Sequence, residues 1–266
     1  MPRYKLTIEY DGTGLVGWQR QDNGPSVQAH LEEAVRRLSG EEREVVGAGR
    51  TDSGVHATGQ VGHVDLNREW RTDQIRDGLN FWLRDAAAPV VVLSAAPVPD
   101  DFHARFSAIG RRYLFRIVDR RPPPVLERDR VMWTPRRLDV GAMHAAAQLL
   151  IGRHDFSTFR AAECQASSPV KTLDRLDVLR VGDEVHVLAA ARSFLHHQVR
   201  NMVGTLRLVG DGRWTADRVA RALAACDRRQ GGPTAPPSGL YLTGVVYPPL
   251  NPAADSGRDA GASGHQ

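Results

Sequence analysis

The chain has 266 residues, with 35 Lys and Arg against 31 Asp and Glu and 41% hydrophobic residues; its formal charge is +4 and its pI is near 9.4. This length supports one large or two ordinary domains with a substantial core, and no apolar run approaches the ~18 residues of a membrane-spanning helix. The opening Met-Pro-Arg-Tyr-Lys-Leu-Thr-Ile lacks the apolar centre of a signal peptide, which predicts a cytoplasmic protein with no membrane partner.

Only Lys5 and Lys171 are lysines, so nearly all the basic residues are Arg. Arg grips phosphate in a bidentate fork and stacks on bases, which suits a nucleic-acid partner; an Arg-rich chain also follows from genome base composition alone. Cys164 and Cys226 are the only cysteines, too few for a disulfide framework or a four-cysteine zinc site. Cys226 falls in helical register with Val219 and Leu223, which predicts core filling.

In chain order, Tyr4, Leu6, Ile8 and Tyr10 alternate with Lys5, Thr7 and Glu9, the pattern of a half-buried strand. A turn at Asp11-Gly12-Thr13-Gly14 follows, then Gly17-Trp18-Gln19-Arg20, where Trp18 is open to two readings, base stacking and burial. Ser26 is a candidate N-cap for a helix with apolar positions Val27, Leu31, Ala34 and Leu38, stopped by Gly40. Residues 45–64 read as strand, a Gly-, Ser-, Thr- and Asp-rich loop, and strand again. A helix over 72–83 and a strand over 90–93 complete the order β, α, β, β, α, β, the ferredoxin-like pattern.

Asp52 lies in the middle of the 45–64 loop. One reading is a hairpin tied by side-chain to backbone hydrogen bonds. Gly47, Gly49 and Gly54 fit neither G-x-G-x-x-G nor a Walker A sequence. Asp52-Ser53-Gly54 and Asp255-Ser256-Gly257 have the form of an aspartic-protease motif, but that chemistry needs two carboxylates sharing a proton in a buried pocket. The second copy sits in a polar tail with no strand before it.

In the second half, Asp101-Phe102-His103-Ala104-Arg105-Phe106 reads as a loop, with ordinary loop hydrogen bonding one reading for His103. Arg111 to Ile117 is a strand on which Tyr113, Phe115 and Ile117 share a face, so Tyr113 reads as a core aromatic. Three prolines at 122–124 mark an exposed excursion. Asp139 caps an Ala-rich helix ending near Gly152, and residues 176–180 and 185–191 alternate around Val181-Gly182-Asp183-Glu184, a hairpin. Leu195, Val199, Met202 and Leu206 form a helical stripe with Arg200 off it. Read as helical, adjacent His196 and His197 point about 100° apart, which disfavours a metal pair and predicts structural roles. Thr215 caps a last helix reaching Arg229, and the chain from Asn251 onward is small, polar and unpatterned, predicting disorder.

Residues 49–57 read G-R-T-D-S-G-V-H-A and resemble the signature of the bacterial tRNA pseudouridine synthase A family. The resemblance continues with F-H-A-R at 102–105, H-D-F-S-T-F at 154–159, F-L-H-H-Q-V-R-N at 194–201 and G-L at 239–240, in the family's order over about residues 4–247. Two departures stand out: Leu83-Arg84-Asp85-Ala86-Ala87-Ala88-Pro89 replaces the family's L-P-x-D-I, and Gln198 stands where the family more often has Met.

The resemblance implies an α+β fold of two ferredoxin-like (RRM-like) halves, antiparallel sheets flanked by helices, with the active-site cleft between them. The expected division is 1–106, 107–250 and a disordered tail at 251–266. It also implies isomerisation of uridine to pseudouridine at positions 38, 39 and 40 of the tRNA anticodon stem-loop, by a homodimer with no metal or organic cofactor. The reaction exchanges a glycosidic C–N bond for a C–C bond to the same ribose, so it requires no redox partner. An aspartate, ordinarily titrating near 3.9, supplies a carboxylate at neutral pH. By resemblance Asp52 is that group, Arg200 the cation that orients it, and Tyr113 the residue against the base. A stacked uridine must be flipped out at a cost of a few kcal/mol; Arg50 is the candidate to fill the gap and Leu240 to line the pocket. Trp18 belongs to the substrate-facing loop, His103 to the RNA-contacting F-H-A-R loop, and Arg105, Arg111 and Arg112 are candidates for phosphate contacts. The reading from another class is an RNA-binding module on the same scaffold without catalysis.

Overall fold

The computed structural model describes residues 1–249; the tail expected to be disordered lies outside the described residues. The first half follows the order expected from its patterning. Strand β1 (Arg3–Tyr10) buries alternate side chains. Helix α1 (Val27–Ser39) starts where the Ser26 hydroxyl accepts from the Ala29 N–H, and it ends at Gly40, whose φ of 76° is the left-handed conformation that glycine adopts without penalty. Strand β2 (Val46–Gly47) and strand β3 (His56–Asp65) bracket the Asp52 loop and pair antiparallel. Helix α2 (Thr72–Asp85) and strand β4 (Val90–Val98) follow. The unusual 83–89 segment does terminate this helix: Ala86 is its C-cap and Ala87 takes φ 49°.

The second half comprises β5 (Gly110–Val118), β6 (Met132–Trp133), α3 (Val140–Gln148), β7 (Gly152–Asp155), β8 (Val170–Val181), β9 (Glu184–Ala191), α4 (Gln198–Gly210), α5 (Ala216–Ala224) and β10 (Leu240–Val246). Three sequence expectations change here. Helix α4 begins at Gln198, not before the histidines, because His197 takes φ 62° and breaks the helical run. Helix α5 stops at Ala224, and a separate 3-10 turn spans Arg228–Gln230. Cys226, expected in the core, is exposed at φ 50°, because the chain has already left the helix there.

The ten strands of the described residues form one open sheet, ordered β4-β1-β3-β10-β5-β9-β8-β7, with β2 alongside β3 and β6 alongside β5. Strand β10 is the join. It runs antiparallel to β5 and parallel to β3, where Tyr241 and Leu242 face His56 and Ala57. The helices bury two apolar cores against the sheet, one built on Leu6, Ile8, Leu31, Ile75 and Leu79, the other on Phe115, Phe156, Phe159, Met202 and Leu206. Each side chain of this size contributes about 1.5–3 kcal/mol on full burial. The cores also exchange members: Val55, three residues after Asp52, packs in the second core, and Leu242 of β10 packs in the first. Packing thereby fixes the Asp52 loop relative to the other half. None of the described helices is long and apolar enough to cross a membrane.

Candidate active site

Asp52 is carried by the loop between β2 and β3, which is held by bonds both from β3 and from outside the hairpin. The Trp18 N–H donates to the Thr51 carbonyl at 3.1 Å, and Gln60 Nε2 donates to the Gly49 carbonyl at 2.8 Å. The Ser53 hydroxyl donates to the Leu15 carbonyl at 2.9 Å, so Ser53 does use a side-chain to backbone bond, but to a different loop. Beneath the loop the Tyr10 and Thr51 hydroxyls share a buried bond of 2.8 Å. Gly17, at φ 106°, lets the first loop approach: a Cβ there would lie 2.4 Å from the Thr51 carbonyl oxygen. These contacts rigidify a segment that local propensity would leave mobile.

Both carboxylate oxygens of Asp52 are engaged. Arg200, in the first turn of α4, places Nη1 3.0 Å from Oδ2, and its Nε donates to the Ala235 carbonyl at 2.8 Å. His197 Nε2 lies 3.2 Å from the same Oδ2, and His196 Nε2 lies 3.2 Å from Oδ1. The imidazoles lie with their centroids 4.0 Å apart. This convergence follows from His197: its left-handed backbone takes both rings out of the helical geometry that would have splayed them. Burial pulls the His197 imidazolium below the usual range, with Arg200 and His196 adding to the effect and Asp52 opposing it. Asp52, His196 and His197 also make an N and O donor set whose atoms lie within 4.8 Å of one another. Arg200 already brings a positive charge against that carboxylate, which opposes a metal cation by Coulomb repulsion.

The site opens into a cleft of about 1310 Å³ whose walls come from both halves of the chain. Arg50 and Arg105 stand exposed on it. Tyr113 and Leu240 line it, Tyr113 meeting Phe194 edge to face at 5.2 Å. Burial pushes the Tyr113 phenol up to about 12, with Arg111 opposing and Asp52 adding. Arg111 also lines the cleft, but it donates to the carbonyls of Arg192, Ala48 and Arg105, so it knits three segments together.

Three expected site residues lie elsewhere. Trp18 is 2% exposed in the first core, its indole pressed so closely on Gly47 that a Cβ there would come within 2.4 Å; Gln19 and Gln21 of the same loop line the cleft instead. Arg112 alternates with Arg111 and Tyr113 along β5 and therefore points to the opposite face of the sheet. His103 makes ordinary loop hydrogen bonds, its Nδ1 accepting from the N–H groups of Arg105 and Phe106, and is not in the cleft wall. His196, His197 and Cys164 were not expected there. The signal for the histidines was their position just ahead of Arg200. Cys164 Sγ accepts from the His196 N–H at 3.4 Å, a contact with no trace in local sequence.

His56, within the 49–57 signature, is buried and structural. Its Nδ1 accepts from the Gly12 N–H at 3.0 Å, which leaves the proton on Nε2, 3.1 Å from the Asp129 carbonyl, and its ring stacks on Tyr241 at 4.8 Å.

Asp52 is thus an oriented carboxylate, bonded by the Arg200 guanidinium and the His196 imidazole, in a cleft lined also by Arg50, Arg105 and Arg111. The family model described as tRNA pseudouridine synthase matches residues 6–107 and 146–248, and the chain belongs to that family. It is 62% identical to tRNA pseudouridine synthase A of Azorhizobium caulinodans over 93% of this chain and 95% of that protein. It is 62% identical to the protein of that name from Rhodospirillum rubrum, over 93% and 88%, and 61% identical to that of Xanthobacter autotrophicus, over 93% and 100%.

Proposed function

We propose that this protein isomerises uridine to pseudouridine in tRNA, at positions 38, 39 and 40 of the anticodon stem-loop, with Asp52 as the reacting carboxylate. The observation that carries the reading is the junction of Asp52 with Arg200: the carboxylate comes from one half of the chain, its orienting cation from the other, and a cleft lies between. Attack at C1′, attack at C6 and removal of a ribose proton all require an oriented carboxylate oxygen, and Arg200 Nη1 holds Oδ2 at 3.0 Å. No step calls for an organic cofactor.

In this reading the target uridine is flipped from its stack, Arg50 fills the gap, and Leu240 packs against the extruded base. Tyr113, a phenol neutral at physiological pH, donates a hydrogen bond to the base. Arg105 binds phosphate, which positions RNA without reading its sequence. The order β4-β1-β3-β2 of the first half, with two helices packed on it, supports reading the fold as two ferredoxin-like halves, 1–106 and 107–250. A cytoplasmic homodimer completes the reading, and the exposed apolar side chains Val125 and Leu126 offer surface for association.

The test uses unmodified tRNA tritiated at uridine C5. Isomerisation frees that hydrogen, so the parent protein releases label to water and Asp52→Ala does not while still binding the RNA. Release by neither protein, with binding intact, favours an RNA-binding module.

A further inference from the structure

The groups around Asp52 are unevenly distributed. Oδ2 has two within 3.2 Å: Arg200 Nη1, which donates to it at 3.0 Å, and the His197 imidazole, whose Nε2 lies 3.2 Å away. Oδ1 has one, His196 Nε2 at a hydrogen-bond distance of 3.2 Å. The Arg200 and His197 side chains are the more enclosed, at 13% and 28% exposure, whereas that of His196 is 36% exposed. The backbone agrees with this division. His197 is held at φ 62°, a conformation costing a non-glycine residue about 1–2 kcal/mol. It persists because the turn is over-determined: the Gln198 side-chain oxygen accepts from the Leu195 N–H at 2.8 Å, and the Gln198 N–H donates to the Leu195 carbonyl at 3.0 Å. Strain kept in place by its surroundings is a mark of a functional segment.

We infer that Oδ1 is the oxygen presented to the substrate, that His197 is a positioning residue which with Arg200 fixes Oδ2, and that His196 is a displaceable cover on Oδ1. The inference rests on Asp52 being the reacting carboxylate. A carboxylate whose oxygens are both occupied cannot meet a ribose or a base, so one donor must leave. Losing His196 costs one hydrogen bond from a side chain already facing the open cleft, and it needs no change in the turn. Losing His197 or Arg200 would free the carboxylate to rotate away from its reactive orientation.

The two histidines, adjacent in sequence and at equal distances from one carboxylate, therefore oppose each other kinetically. His196→Ala removes a competitor for Oδ1 and lowers KM for tRNA by about two- to tenfold, the equivalent of one hydrogen bond, so kcat/KM rises. His197→Ala lowers kcat by up to about 100-fold, as misplacement of a reacting group does, with little change in KM. His197→Gln, which retains an N–H donor at the same backbone strain, recovers most of that loss. Tritium-release kinetics on the full-length protein read both parameters, and thermal melting checks that each variant is folded.

Similar loss of kcat in both alanine variants, a larger loss in His196→Ala, or a His197→Gln variant that is folded yet as slow as His197→Ala overturns the inference. Failure of the underlying reading looks different: the parent protein itself then releases no label, or Asp52→Ala retains release.

Discussion

The Arg200 guanidinium reaches Asp52 Oδ2 from 148 positions away in the chain and simultaneously grips the Ala235 carbonyl through Nε. One side chain thus joins helix α4, the segment leading to β10 and the Asp52 loop. A lysine cannot reproduce both bonds, because its ammonium is a point charge without the planar fork. Arg200→Lys is expected to reduce kcat by roughly 10- to 100-fold, matching loss of a charge-assisted bond of about 1.5–3 kcal/mol. Tritium-release kinetics check this, and near-parental kcat would remove Arg200 from its assigned role.

Gly17 tests how firmly the first loop positions the carboxylate. In Gly17→Ala the new Cβ would press on the Thr51 carbonyl at 2.4 Å, at a backbone φ of 106°. The expected result is a loss of about 1–3 kcal/mol of stability and a larger proportional loss of turnover, because the displaced peptide adjoins Asp52. Urea titration gives the first quantity, and label release the second.

The Tyr10 hydroxyl bonds Thr51 Oγ1 beneath the same loop. Tyr10→Phe leaves a buried hydroxyl without this partner, which costs about 1–3 kcal/mol. Denaturant unfolding measures the cost, and Tyr10→Phe with Thr51→Val should recover part of it by removing both polar groups.

Two shifted groups, buried His63 and half-buried Tyr113, contribute to the pH dependence of stability. His63 is pushed down to about 4, chiefly by burial, with Arg3 and His103 adding to the effect. The unfolded chain binds this proton below about 6.5 while the folded chain resists it, so stability falls as pH drops from 6.5 toward 4. For Tyr113, raised to about 12 from 10 by burial, the folded chain keeps the proton longer, and stability falls as pH rises between those values. His63→Gln should flatten the acid limb and Tyr113→Phe the alkaline limb, read from melting temperature against pH. An unchanged slope in either variant would assign that limb to other groups.

Salt dependence of tRNA binding separates the arginines. Arg105→Ala should reduce the slope of log affinity against log salt by about 1 if it contacts a phosphate, whereas Arg50→Ala, at the gap-filling position, should weaken binding with a smaller change in slope. Arg112→Ala, on the opposite face of the sheet, should leave the slope unchanged. Filter binding over a salt series gives all three values, and an equal effect from Arg112 would move the RNA surface off the cleft.

Much of the architecture was legible in the chain because it is local. Alternation in residues 4–10 sets a strand, Ser26 and Gly40 bracket a helix, and the 45–64 pattern marks a hairpin, each decided by neighbours within a few residues. The 49–57 motif singled out Asp52 for the same reason: a reacting group and the backbone that presents it are contiguous. What surrounds Asp52 was decided by tertiary structure. The burial of Trp18 depends on an approach to Gly47 that no local pattern records. Arg111 spends its donors on carbonyls brought together from three segments, so its charge alone misdescribes it. His196 and His197 looked divergent under helical geometry and converge because His197 leaves it, a left-handed turn stabilised by Gln198 and by packing against the other half. Sequence periodicity reports which face of an element is apolar; the partners of a polar side chain are set by where the remainder of the chain comes to rest.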